Sequence, residues 1–270
     1  FRLVWIAPCR KGEVLHLPKP MNTLNQTLVS WSATGCKEQI EKQDKYGTHY
    51  VRAIAEGDSI EVTTEVKLTP FSIKPLLKKV SAKGGGPEFE SFLIPKKTQK
   101  QGYELDPKNA QVMEVAKAFP KDSAVKSVES MMDWINNSFT FCPPGSPPGI
   151  DKPGDVILRK GGHCEAISSV EACLLRACGV PSRLIRGQSA VRADMSKSTQ
   201  HTIIQFHLTG IGWVDWDYFK PKWRSRDDFV RLWVYNEIAD PETEPLADFF
   251  GRAFQEIKGY RHQLVRTSLE

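Results

Sequence analysis

From Ser59 to Thr69 the chain reads SIEVTTEVKLT, an alternation suited to a strand with one buried face. Ile60, Val62, Thr64, Val66 and Leu68 fall on one side, and Glu61, Thr63, Glu65 and Lys67 on the other. Successive side chains of a pleated strand point to opposite faces, so a period of two predicts one dry and one wet face. Gly57-Asp58 predicts a turn from the preceding run HYVRAIA. Several such strands without helical period predict a β-sandwich over residues 1–100.

The pattern then changes. Residues 78–102, KKVSAKGGGPEFESFLIPKKTQKQG, are rich in Lys, Gly and Pro and predict a linker or extended crossing segment. Helical period begins at Asp106-Pro107, with Asp as N-cap and Pro at the first helical position. Val112, Val115, Ala116 and Phe119 make its apolar face. A second helix follows Asp122, with Val125, Val128, Met132, Ile135 and Phe139 at helical spacing. Residues 142–155 (CPPGSPPGIDKPGD) and 188–200 (QSAVRADMSKSTQ) are too irregular for either period and predict loops. Leu246, Phe249, Phe250, Ala253 and Ile257 predict a C-terminal helix.

Composition excludes several function classes. With 270 residues, 40% hydrophobic and 26% charged, the chain has enough apolar material for one large domain or two modest ones. No stretch approaches the ~18 consecutive apolar residues of a membrane-spanning helix. The net charge of +5 is mild and no Lys/Arg run is interleaved with aromatics, so nucleic acid is not an expected partner. The start FRLVWIAPCR, without Met, is consistent with an upstream leader that was removed or is simply not part of this sequence. None of the six cysteines forms a C-x-x-C pair, which argues against structural zinc and against a thiol redox role. Cys9 and Cys36 share the N-terminal segment and could pair if the protein is exported.

Cys164 stands apart from the other cysteines. Turning the following helix at ~100° per residue places Ala166, Ile167, Val170, Cys173, Leu174, Ala177 and Cys178 in one arc. Glu165, Ser168, Ser169 and Arg176 fall outside it. Cys173 and Cys178 therefore read as small buried hydrophobes. Cys164 lies at the N-terminal edge, where unpaired N–H groups and the helix dipole favour a thiolate. Gly161 and Gly162 before it predict a tight turn and close approach of a substrate.

A partner for the thiol lies in HTIIQFHLTGIGWVDWD, residues 201–217. His201, Ile203, Gln205 and His207 share one face of a strand, TGIG turns the chain, and WVDWD returns as a partner strand. If residue 201 faces residue 217, then Trp213, Asp215 and Asp217 point to the side of His201. A slip of two would instead favour Asp215. His207 is roughly 20 Å from His201 along an extended strand, so only one of them can meet Cys164. His163 adjoins the thiol, but neighbouring side chains at a helix start diverge by ~100°, which favours His201 as the base.

These blocks resemble the transglutaminase-like superfamily, a circularly rearranged relative of papain-like proteases. The nucleophile segment of that family resembles G-x-C, a helix, L-x-R-A-x-G-I-P-A-R and a short strand ending in Gly. The run GGHCEAISSVEACLLRACGVPSRLIRG matches it, including Arg176, Gly179, Pro181, Arg183 and Gly187. The family's second block resembles H-A-W-V-E-V, a turn and G-W-V-x-x-D, which HTIIQFHLTGIGWVDWD matches with His201 and Asp217. The match covers about residues 105–217, and VLHLPKPMNTLNQT and KYGTHYVRAI are more loosely similar to the β-sandwich preceding this core in bacterial members. Phe139 and Phe141 stand where relatives often carry a tyrosine, Gln188 where an aromatic commonly follows the glycine, and Thr202-Ile203 replace Ala-Trp.

The resemblance implies an α+β fold: a papain-like transglutaminase core of helices on an antiparallel sheet (residues 101–270) after a β-sandwich domain (residues 1–100). It implies acyl transfer on amide bonds of a protein or peptide, through a thioester at Cys164, with His201 as acid and base and Asp217 orienting it. The Cys164 backbone N–H is the expected oxyanion donor. Hydrolysis by a protease or amidase is favoured over transfer to an amine, as in protein cross-linking. The alternative from another class is a binding module of the same fold, against which the intact Cys, His and Asp argue. No cofactor and no metal are expected, and relatives acting outside the cytoplasm favour a periplasmic or secreted setting.

Overall fold

Six strands open the chain: β1 (Arg2–Pro8), β2 (Val14–Pro18), β3 (Gln26–Thr34), β4 (Cys36–Gln43), β5 (His49–Ala55) and β6 (Ser59–Leu68). The computed structural model that contains them describes residues 1–44, 46–80, 87–97, 104–141, 152–189, 199–224 and 228–235. They form two antiparallel sheets, in the orders β1-β6-β3 and β2-β5-β4. On β6, Ile60, Val62, Thr64 and Val66 are buried while Glu61, Glu65 and Lys67 face solvent. The bend at 56–58 is not a hairpin, because β5 and β6 lie in different sheets. Gly35 makes another of the crossings between the sheets, from β3 to β4, at φ +75°, where a Cβ would also run into Ser59 O. Cys9 Sγ lies 3.7 Å from Gly57 O and Cys36 Sγ 3.5 Å from Gln39 Nε2, with no disulfide between them.

The segment expected to be a bare linker is docked where it is described. Residues 87–92 form a 3-10 turn that buries Phe92, and β7 (Lys96–Lys97) pairs with β8 (Glu104–Leu105). The first α-helix, α1 (Ala110–Ala116), starts later than expected. Asp106 Oδ1 accepts from Lys108 N, closing a turn, and Asn109 takes the capping role by accepting from the N–H groups of Gln111 and Val112. Both side chains offer the backbone a local acceptor, and the one nearer the apolar run begins the helix.

Next come α2 (Ala124–Ser138), β9 (Thr140–Phe141), α3 (Pro153–Arg159), β10 (Gly161–Gly162) and α4 (Cys164–Ala177). Helix α3 begins inside the stretch expected to be loop. Pro153 occupies its first turn, where a missing N–H removes no helical bond. The chain then forms β11 (Ser182–Ser189), β12 (Thr199–Leu208), β13 (Gly212–Trp216) and β14 (Phe229–Tyr235), an antiparallel sheet in the order β13-β12-β11-β14. Residues 142–151 and 190–198 of the expected loops, and the stripe from Leu246 to Ile257, lie outside the described residues.

Helix α4 is the centre of this half, laid on β11 and β12 with α1, α2 and α3 against its other sides. The expected single apolar arc is therefore only part of its buried surface. Glu165, Ser168, Ser169, Glu171 and Arg176 are buried as well. Most reach a polar partner: Ser168 Oγ donates to Thr202 O, Ser169 Oγ to Glu165 O, and Arg176 to Ser182 O and Ile94 O. One apolar core continues from Trp5, Leu17 and Val62 to Met132, Val170 and Phe206, joining the two halves. No helix among the described residues is long and apolar enough to cross a membrane.

Candidate active site

Cys164 is the first residue of α4, with His163 as its N-cap in extended conformation. The first turn of a helix leaves backbone N–H groups without intrahelical acceptors, so they converge beside the thiol. The tight turn does not fall on the preceding glycines. Lys160 carries it at φ 55°, while Gly161 and Gly162 form a short parallel pairing with Thr140 and Phe141. Gly162 is needed for packing, since a Cβ there would sit 2.8 Å from that of Ala166.

The β12–β13 hairpin delivers the other two residues. Placing 201 opposite 217 would leave Thr209 alone to turn the chain. The observed ladder pairs Gln205 with Asp215 and Leu208 with Gly212, leaving three residues for the loop. The register is thus two residues away from the one assumed. Asp217, just past the end of β13, reaches back diagonally, and its Oδ1 lies 3.0 Å from His201 Nε2. Asp215 is committed elsewhere: it accepts from Gln205 Nε2 at 2.6 Å and pairs with the Arg231 guanidinium. His207 stacks on Phe89 with ring centroids 3.9 Å apart, in a separate cluster with Trp213.

Cys164 and His201 are hydrogen bonded through their side chains. Burial alone would push the thiol upward. Hydrogen bonds from His163 and His201, the charge of His201 and the Thr202 N–H outweigh it and bring the thiol to about 6. Burial would likewise lower the imidazole, but Asp217 and Cys164 hold its proton and raise it to about 9. Between these values the pair is thiolate and imidazolium, an ion pair made stronger by its half-dry surroundings. His163, placed second as a base from sequence, thus contributes a hydrogen bond to the sulfur.

Four further groups surround the three and were not singled out from sequence. Tyr218, buried, lies 6.0 Å from His201 between ring centroids and stacks on Phe141, and Phe229 meets the imidazole edge-on at 5.8 Å. Their signal was adjacency to Asp217 for Tyr218 and none for Phe229, which a distant strand supplies. Glu165 pairs with Arg186 at 2.7 Å beside the helix start. Glu171, two turns along α4 from the thiol, is fully buried beside Ser168. Burial, and then the charge of Asp217, raise its carboxyl well above the usual range, so it is the neutral acid. Among the described residues no cluster of three or more His, Cys, Asp and Glu is placed to hold a metal ion.

Residues 113–218 match the sequence model of the Transglutaminase-like superfamily. Among solved structures, a candidate cysteine protease from Cytophaga hutchinsonii superposes with a TM-score of 0.59 at 18% identity, covering 89% of this chain and 82% of that one. The periplasmic domain of TgpA from Pseudomonas aeruginosa matches at 14% identity and TM-score 0.39, over 78% of this chain and 71% of that one. Red sea bream transglutaminase matches at 13% identity and TM-score 0.36, over 85% and 47%. A search of curated proteins finds no match. The segment that matches this model spans the Cys164 helix and the His201–Asp217 hairpin.

Proposed function

We propose that the protein is a cysteine-dependent acyl-transfer enzyme that opens amide bonds of proteins or peptides, with water as acceptor. The supporting observation is the order of the two protonation equilibria: a thiol at about 6 beside an imidazole at about 9. At neutral pH the nucleophile is already a thiolate and the acid already protonated. The Cys164 sulfur adds to the amide carbonyl, and the N–H groups at the start of α4 face the developing oxyanion. His201 gives its proton to the leaving nitrogen as the C–N bond breaks, and a thioester remains. His201, now neutral, takes a proton from water as its oxygen adds to the thioester. The carboxylic acid leaves and the sulfur departs as thiolate, restoring the imidazolium. Asp217 holds the ring throughout.

Incubating the protein with a defined peptide mixture and a primary amine tests this, with mass spectrometry as readout. New carboxyl termini dependent on Cys164 are the expected result. Amine-adducted glutamine would mean transamidation, a gain of one mass unit at glutamine side chains would mean deamidation, and unaltered peptides would leave only a binding role.

A further inference from the structure

A cavity of about 590 Å³, which Cys164, His201 and Asp217 do not line, opens between residues 21–24, the β4–β5 hairpin and the β12–β13 turn. Two buried groups of opposite charge line it, Asp44 and Arg183, which are 5% and 7% exposed. Asp44 Oδ1 accepts from the N–H groups of Tyr46 and Thr48, both at 2.8 Å, while Oδ2 has no partner. Arg183 gives Nε to Gln205 Oε1 at 2.9 Å and Nη1 to Tyr46 O at 2.7 Å, and its Nη2 bonds no described residue. The two charges influence each other but form no ion pair in contact. The other nearby carboxylate, Asp215, is taken by Gln205 and Arg231. Burying one charge without a contact partner is costly, and this cavity holds two.

The walls add an apolar component. Arg183 lies 3.9 Å over the Trp213 ring, and Phe92 meets Trp213 edge-on at 4.9 Å. A purely cationic ligand would meet Arg183, and a purely anionic one Asp44. A species with both signs and a small apolar body satisfies every surface. We propose that this cavity binds a zwitterion of the free amino-acid or short-peptide class, its ammonium on Asp44 Oδ2 and its carboxylate on Arg183 Nη2. The site stands independently of the chemistry at Cys164.

Calorimetric titration of the full chain with L-leucine and with Leu-Leu tests it, the stronger of the two fixing the ligand's length. Saturable binding is expected, weakened roughly tenfold or more by N-acetylation and equally by C-terminal amidation, since each removes one charge-assisted contact. Asp44→Asn should weaken it similarly while keeping Oδ1 for the Tyr46 and Thr48 N–H groups, with circular dichroism confirming the fold. Absence of saturable binding by both ligands, or binding that survives either blocking group, overturns the proposal. The blocked ligands decide the matter even if the variant does not fold.

Discussion

His201 presents Nε2 to Asp217 Oδ1 at 3.0 Å, which leaves Nδ1 as the nitrogen that meets the Cys164 sulfur. One contact thereby fixes both the orientation of the ring and the place of its mobile proton. Asp217 is 3% exposed, so water does not compete for that hydrogen bond. Tyr218 and Phe229 close the ring's flanks, and the imidazolium is held between a carboxylate and a thiolate.

The pH dependence follows directly. Cys164 is lowered to about 6, so its thiolate forms as pH rises through that value and is lost by protonation below it. His201 is raised to about 9, so the imidazolium persists up to that value and is lost above it. Iodoacetamide labelling of Cys164 should rise through about 6 and then level off. Turnover should show a bell with limbs near about 6 and about 9, because only it needs the acid. A labelling curve that rises only in the ordinary thiol range, with Cys164 no faster than Cys173, contradicts the ion pair.

The two aspartates of the hairpin should separate cleanly. Asp217→Ala removes the carboxylate that holds the His201 proton. Turnover should fall by about 10²–10⁴-fold, and the lower limb of the labelling profile should move upward. Asp215→Asn leaves that geometry alone but weakens the pair with the fully buried Arg231. It should cost about 3 kcal/mol of stability with the labelling profile unmoved. Thermal melts and the pH profile of each variant distinguish the two roles.

How much of this was legible in the chain depends on which forces act locally. The alternation from Ser59 to Leu68 survived intact, because a strand with one wet face records its burial residue by residue. The Cys164 helix was readable from its apolar arc and the His201 strand from its alternation and the TGIG turn, although neither has a wet face. The ladder register was not, since it turned on a loop of three residues rather than one. Nor was the all-round burial of α4, because Ser168 and Arg176 look like surface residues until the acceptors at Thr202 and Ser182 are known. Phe229 arrives at His201 from β14, and no local pattern announces a contact made across the sheet. Gln188, buried with neither end of its amide satisfied, has no explanation in the structure.

Glu171 gives an unusual expectation for a buried acid. It is neutral in the folded protein, since burial and the charge of Asp217 both oppose its ionisation. Glu171→Gln replaces one neutral group by another of nearly the same shape. Stability, turnover and the two limbs of the pH profile should all stay close to those of the parent. Glu171→Lys puts a charge in the same fully buried position and should destabilise by about 3 kcal/mol or more. Equal losses in both variants, measured by denaturant melts, would show that Glu171 is ionised.

Gln26 is one of the points, with Thr48, at which the N-terminal half holds the last described strand. Its Nε2 donates to Met21 O at 2.7 Å and to Arg231 O at 2.9 Å, while its Oε1 accepts from Arg231 N at 2.8 Å. The two contacts to Arg231 imitate a strand partner for an edge that β11 pairs only on its other side. Gln26→Ala would strand a buried N–H and a buried C=O on β14, each costing about 1–3 kcal/mol. Gln26→Glu would keep the acceptor for Arg231 N but replace the donor to Met21 and Arg231 O. The melting temperature should fall in both variants. Because β14 also carries Phe229 against His201, labelling of Cys164 should slow in Gln26→Ala even well below the melt. An unchanged labelling rate in a destabilised Gln26→Ala would mean that β14 stays seated on β11 without this clamp.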